Sequence, residues 1–341
     1  MMGGLTGTVM ETRKVQVTGG STYTVSLPKD WATDNDVEAG SVVEFHSEED
    51  LLLLSPRREE ERTEGTLDIT GLEDKYELTR AVMTMYVSGF DVIRLETPRI
   101  TAAQRRVIRE ATQGLVGLEV IEETSERVVL RDLLDSSELS VHNAITRMRL
   151  VSLTMLEDAV EALVDGDDDL ARDVMERDDD VDRLWYMVSR VFRTVLRNPT
   201  AATEVGLPRD TCFDFQSSAR QLERIADHAT KIADLAVTLE AVPDTVGTPL
   251  RALHEEAAAV PEMAMEALLT DDPEEATELA TSARARIDSV DEQAREVDNE
   301  LRELDPGTAQ GLGLVVDSLS RTADYGGNIA ENALQKAAPD P

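Results

Sequence analysis

A fifteen-residue stretch has a diverged counterpart later in the chain. "LERIADHATKIADLA" at 222–236 aligns without gaps on "LSRTADYGGNIAENA" at 319–333, an offset of 97 residues. Arg224 falls on Arg321, Asp227 on Asp324 and Ile232 on Ile329. Upstream, "DDVDRL" (179–184) falls on "DSVDEQ" (288–293), with Asp182 on Asp291. In the first copy Leu222, Ile225, Ala229, Ile232, Ala236 and Leu239 recur at spacings of three and four, which predicts one buried stripe of a helix. Breaks at "DGDD" (165–168), "RNP" (197–199), "VPDTVGTP" (242–249), "TDDP" (270–273) and "LDPG" (304–307) divide residues 135–338 into six helical segments. A polar stretch follows Pro199 before the third helix begins near Asp210. Both sets run helix, helix, motif helix. The expectation is two copies of a three-helix unit, 135–240 and 248–338, packed as antiparallel bundles.

The remaining chain reads differently. Residues 8–56 are strand-like: Val15 and Val17 alternate, then Tyr23, Val25 and Leu27, with Gly19-Gly20 between them. "KDWATDNDVEAGSVVEF" predicts a short helix, a turn at Gly40 and a strand over Val42–Phe45; a last strand stops at Pro56. The charged segment 57–65, "RREEERTEG", reads as a linker. Residues 66–134 give a βαβαββ pattern, with Thr101 as N-cap of the second helix, so a small α/β module of ferredoxin-like type is expected. The fold class is therefore mainly α, with a small β N-terminal domain, a middle α/β module and a C-terminal pair of three-helix bundles.

Charge narrows the function classes. Acidic residues number 69 against 34 basic, a net charge of −35, and the acids are spread through periodic segments rather than held in a tail. Such a surface suits a high-salt cytoplasm, where repulsion is screened; the alternative is an acidic scaffold from an ordinary cell. Broad nonspecific nucleic-acid binding is disfavoured, because phosphate contacts need clustered Lys and Arg. The single cysteine, Cys212, excludes a disulfide framework and a cysteine-built zinc site. No run of 18 apolar residues and no secretory signal is visible, so a cytoplasmic protein is expected.

The paired repeat, "LERIADHATKIAD" and "ERDDDVDRL" resemble the PhoU family of phosphate-uptake regulators over roughly residues 136–338. The N-terminal zone is similar to AbrB-type swapped-hairpin DNA-binding domains, through "RKVQVTGGSTYTVSLPKDW" and "VEAGSVVEF". The combination resembles archaeal PhoU-like regulators that carry their own DNA-binding domain, and the charge reading makes the expected source a halophile. That resemblance implies a transcriptional regulator of phosphate homeostasis, a homodimer bound to an operator, with components of a phosphate ABC transporter as further partners.

A β-rich unit of some 45 residues buries too little apolar surface to stand alone, so intertwining with a second copy is the physical expectation. Candidate DNA contacts are Arg13, Lys14 and Lys29, with backbone groups of Gly19 to Thr22 near the phosphates. Residues 8–56 hold three basic and nine acidic side chains, so a dimerisation module without DNA binding stays open. PhoU-like proteins carry [DE]-x-x-x-D motifs that bind metal clusters. Glu223 and Asp227 match this motif, and Asp178 and Asp182 match it on the preceding helix, with His228 as a further ligand or supporting donor. Oxygen-only ligands suit Mg, Mn or Fe. About 14 acidic pairs at i, i+4 arise by chance at this composition, so a solvated acidic face is the competing reading. In the second repeat Ser320, Tyr325 and Ile287 replace Glu223, His228 and Asp178, which leaves Asp291 and Asp324 as partial ligands. Trp185, Tyr186 and Phe192 read as core or interface, His142 and His254 as surface or capping residues, and Cys212 as a buried small apolar group. A metal-dependent hydrolase and a plain transporter scaffold are the alternatives to a regulator. No nucleophile–base pair or glycine-rich phosphate loop supports an enzyme.

Overall fold

The computed structural model describes residues 11–48, 51–57, 63–134, 140–239 and 242–339. The chain divides into two compact units, Met1–Glu61 and Arg62–Pro341. Most of the expected linker at 57–65, and the expected start of the helical region at 135, fall outside the described residues.

The described residues of the first unit form two hairpins and one short helix. Strands β1 (Gln16–Thr18) and β2 (Thr22–Thr24) pair antiparallel, Gln16 opposite Thr24. Gly19 and Gly20 both take positive φ, +65° and +83°, the conformation a tight hairpin turn needs and a side chain resists. Helix α1 (Lys29–Asp34) follows, then β3 (Val43–Glu48) paired with β4 (Leu51–Pro56). No described residue from 11 to 57 is buried.

The second unit opens with β5 (Glu64–Asp68), α2 (Lys75–Val87), β6 (Val92–Glu96), α3 (Ala102–Gln113), β7 (Leu118–Glu123) and β8 (Arg127–Asp132). The sheet order is β5-β6-β8-β7, with β5 and β6 parallel and the rest antiparallel. The expected ferredoxin-like topology is corrected here. That fold inserts a strand between the two parallel strands of its βαβ unit, whereas β5 and β6 are direct neighbours. Thr101 caps α3 in a reciprocal capping box with Gln104, as its position predicts.

Six long helices follow: α4 (Val141–Asp165), α5 (Asp168–Arg197), α7 (Arg209–Thr238), α8 (Asp244–Leu269), α9 (Pro273–Leu301) and α10 (Pro306–Ala337). Their starts are set by local chemistry. Asp167, Asp272 and Asp305 each accept hydrogen bonds from two backbone N–H groups of the first turn, and α9 and α10 open on a proline whose missing donor costs nothing there. Two expectations change. The polar stretch after Pro199 forms a short helix, α6 (Pro199–Val205). The expected break at 242–249 is shorter, because α8 begins at Asp244 and carries Pro249 within it. A proline so near a helix start removes few intrahelical hydrogen bonds, so the sequence signal overstated the interruption.

Helices α4, α5 and α7 pack on one another, as do α8, α9 and α10, and α7 lies against α10. Residues aligned by the repeat meet across that last pair: His228 Nε2 lies 3.4 Å from the Tyr325 hydroxyl. Aligned positions of the two repeats thus face each other, and the six helices share one continuous apolar core. The α/β module has its own core, roofed on one side by the partly buried Tyr186 of α5.

Candidate functional site

The motif spacing puts Asp178 and Asp182 one turn apart on α5, and Glu223 and Asp227 one turn apart on α7. Because α5 packs along α7, the two pairs face each other. Burial pushes Asp182 up to about 6, and repulsion from Asp178 and Asp227 adds to it. Burial also lifts Glu223 to about 7, with Asp227 raising it further and Arg220 opposing. Asp178 is raised by burial and then by Asp227. Asp178, Asp182 and Glu223 are thus partly withdrawn from solvent and within electrostatic reach of Asp227. The side-chain Oε2 of Glu223 is buried without a hydrogen-bond partner, while its Oε1 accepts from Arg220 at 2.5 Å. Burying an anionic oxygen unpartnered is costly, and it holds Glu223 ready for a proton or a cation.

Among the described residues, no three Asp, Glu, His or Cys side chains converge closely enough to hold one ion. His228, expected as a further ligand, points instead to α10, where its ring meets Tyr325. Burial, with Lys231 and Arg321 nearby, holds His228 down to about 4, so it is neutral at pH 7. In the second repeat, burial and then Asp291 raise Asp324, so the two residues face each other as the first-repeat carboxylates do.

Several partners of the patch carry little signal in sequence. Tyr186 lies 3.5 Å through its hydroxyl from Asp182 Oδ2 while its ring packs on the α/β core; its spacing of four from Asp182 is the one available hint. Arg220 pairs with Glu223 and stacks over Trp185. Arg190, only 5% exposed, binds the α/β module to α5. Its guanidinium donates to the carbonyls of Tyr86 (2.8 Å) and Phe90 (2.9 Å), and pairs with Asp91 (2.8 Å) and Asp132 (2.9 Å). These partners lie about a hundred residues away or more than fifty, beyond any periodic pattern. Trp185, Tyr186 and Phe192 are half-buried against the cores, Cys212 is buried with its thiol pushed up to about 11, and His142 is exposed. His254 is half-buried, its Nε2 without a partner, and burial lowers it.

In the N-terminal unit Arg13, Lys14 and Lys29 are all exposed. Arg13 is paired with Glu11. Lys14 stands just before β1, and Lys29 opens α1. Val17 is 63% exposed, Tyr23 77% and Phe45 56%, with Val15, Leu51 and Leu52 similarly open. Apolar side chains in such number do not stay in water in a stable unit of this size.

The PhoU domain profile matches residues 145–236. A second profile, antidote-toxin recognition MazE, bacterial antitoxin, matches residues 16–62. The phosphate-specific transport system accessory protein PhoU homolog of Pseudomonas aeruginosa is 30% identical over 188 residues, 52% of this chain and 73% of that protein. The crystal structure of PhoU from Pseudomonas aeruginosa aligns with a TM-score of 0.45 at 25% identity, covering 58% of this chain and 96% of that one. The phosphate transport system regulatory protein PhoU from Streptococcus pneumoniae aligns with a TM-score of 0.46 at 18% identity, covering 57% and 91%.

Proposed function

The chain belongs to the PhoU family, and from that premise we propose that it regulates phosphate uptake as a cytoplasmic, homodimeric transcription factor. The N-terminal unit would bind an operator, and the helical unit would receive the signal. The observation that carries this reading is the N-terminal unit itself, which matches an antitoxin profile at residues 16–62 and leaves its apolar side chains exposed. A second copy that interleaves its hairpins would cover Val17, Tyr23 and Phe45, and the two-fold so made matches a palindromic site. Lys14, Lys29 and Arg13, once drawn from Glu11, would contact the phosphates. With so few cations the affinity must rest on those contacts and on backbone donors of the Gly19–Thr22 turn. The relative's printed name supports contact with a phosphate transporter. No described helix is long and apolar enough to cross a membrane.

The test is a gel shift of the full chain on DNA from its own upstream region. Lys14→Gln should weaken the shift and flatten its salt dependence by about one counterion. A shift that Lys14→Gln and Lys29→Gln leave unchanged would remove DNA binding by this face.

The carboxylate patch supports a second element of the reading. Its donor chemistry fits a hard cation such as Mg, Mn or Fe, and Asp178, Asp182, Glu223 and Asp227 would hold it once their side chains turn inward. Bound there, the cation would supply positive charge that relieves the repulsion among the four groups. Metal content of purified protein, compared with Asp178→Ala and Glu223→Ala, tests this; equal content in all three removes it. Among the described residues neither a nucleophile–base pair nor a phosphate loop accompanies the patch, and we read its role as regulatory rather than hydrolytic.

A further inference from the structure

The antiparallel seam of α7 and α10 gathers positive charge in a chain where acids outnumber bases two to one. Its centre is the His228–Tyr325 pair, the ring centroids 5.7 Å apart. The repeat supplies one arginine to each side. Arg224 on α7 lies over the Tyr325 ring at 5.6 Å. Its counterpart Arg321 on α10 lies by the Tyr325 hydroxyl and within electrostatic reach of His228. Lys231, one turn further along α7, also reaches the His228 ring and is exposed.

The carboxylates around this seam are mostly turned elsewhere. Asp227 faces α5, and Asp324 faces Asp291. Asp317 pairs with Arg321 at 3.0 Å, while Glu223 lies within electrostatic reach of Arg224 and Asp178 within that of Lys231. His228 itself is 8% exposed, and its Nδ1 is buried without a hydrogen-bond partner. Next to it, the amide of Asn328 donates to Gln221 at 3.3 Å, continuing a polar lining along the seam. Two planar guanidiniums flanking a hydroxyl and an imidazole are suited to a tetrahedral oxyanion, since each guanidinium can give two parallel N–H donors.

We propose that this seam is an oxyanion site, taking a phosphate-class dianion over the His228–Tyr325 pair between Arg224 and Arg321, with Lys231 adding charge. Because each repeat contributes one arginine, the anion would tie the two three-helix units together, giving the helical unit a signal to receive. The inference rests on reading that unit as the signal-receiving part of the regulator.

Calorimetric titration of the full chain with inorganic phosphate, at constant ionic strength, tests it. One-to-one saturable binding is expected, weakened about tenfold or more by Arg224→Gln and by Arg321→Gln. Sulfate should compete for the site. Arg251→Gln, in an exposed ion pair with Asp165 elsewhere, should leave binding unchanged. Melting curves establish that each variant folds, and Arg224→Lys, which keeps charge without the planar fork, serves where the glutamine does not. Absence of saturable binding, or binding retained by the doubly substituted Arg224→Gln, Arg321→Gln chain, overturns the proposal. A gel shift of the same proteins without phosphate reads the regulator hypothesis separately: an intact shift with no phosphate binding sinks the anion site alone.

Discussion

At the scale of single residues, burial decides what the acids do. Glu223 and Asp182 share their residue types with scores of solvated carboxylates in this chain, yet only their place between two helices raises them. For Glu223 the folded state holds its proton up to about 7, against 4.5 in the open chain. The native state therefore binds more protons than the unfolded one in that window. The stabilisation is full below the lower value and is lost as pH rises through the upper one. Glu223→Gln should remove the part of the slope near pH 7, while Asp182, raised to about 6, still titrates at lower pH. In metal-free buffer at pH 8 it should raise stability by about 1–2 kcal/mol, read by denaturant melts at several pH values. A slope unchanged by the substitution would mean that another group titrates. The acid spacing was visible in sequence, but i, i+4 pairs are frequent in so acidic a chain, and the pattern could not separate a buried pair from a solvated one.

At the scale of elements, two close contacts fix how helices meet. Arg190 is the joint between α5 and the α/β module, with Asp132 equally buried beside it. Arg190→Gln would strand that carboxylate without its cation and should cost about 3–5 kcal/mol. Hydrogen exchange should then speed up first in β6 and β8, which flank Asp91 and Asp132, while α8–α10 stay protected. Uniform loss of protection across all helices would refute a local joint. On α10, a Cβ placed at Gly326 would come 2.5 Å from the backbone nitrogen of Pro261 in α8. Backbone cannot yield as a flexible side chain can. Gly326→Ala should therefore destabilise by about 1–3 kcal/mol despite the better helix propensity of alanine. A thermal melt with no loss would show that α8 shifts freely. The N-cap at Thr101 and the breaks at 165–168, 270–273 and 304–307 were legible because capping and turn chemistry are local. The Arg190 joint was not, since its partners come from another module.

For the whole molecule, charge and duplication set the frame. A net charge of −35 on one chain makes self-repulsion a standing cost of compactness. Raising KCl from about 0.2 to 2 M shortens the screening length severalfold and should raise the melting temperature by several degrees; a fall would show that the acids are already balanced. The exposed apolar side chains of the first unit should make assembly depend on concentration. Phe45→Asp should shift sedimentation toward monomer, whereas an unchanged dimer would place the contact elsewhere. By itself the sequence determined the helical periodicity, the twofold repeat, most element boundaries and the hairpin at Gly19-Gly20, because each depends on neighbours within one or two turns of chain. Only the tertiary structure decided that β5 and β6 lie side by side, that His228 turns from the carboxylates to Tyr325, and that the repeat's two arginines meet at one seam. Those outcomes depend on which faces pack together, and residues a hundred positions apart leave no periodic trace of such packing.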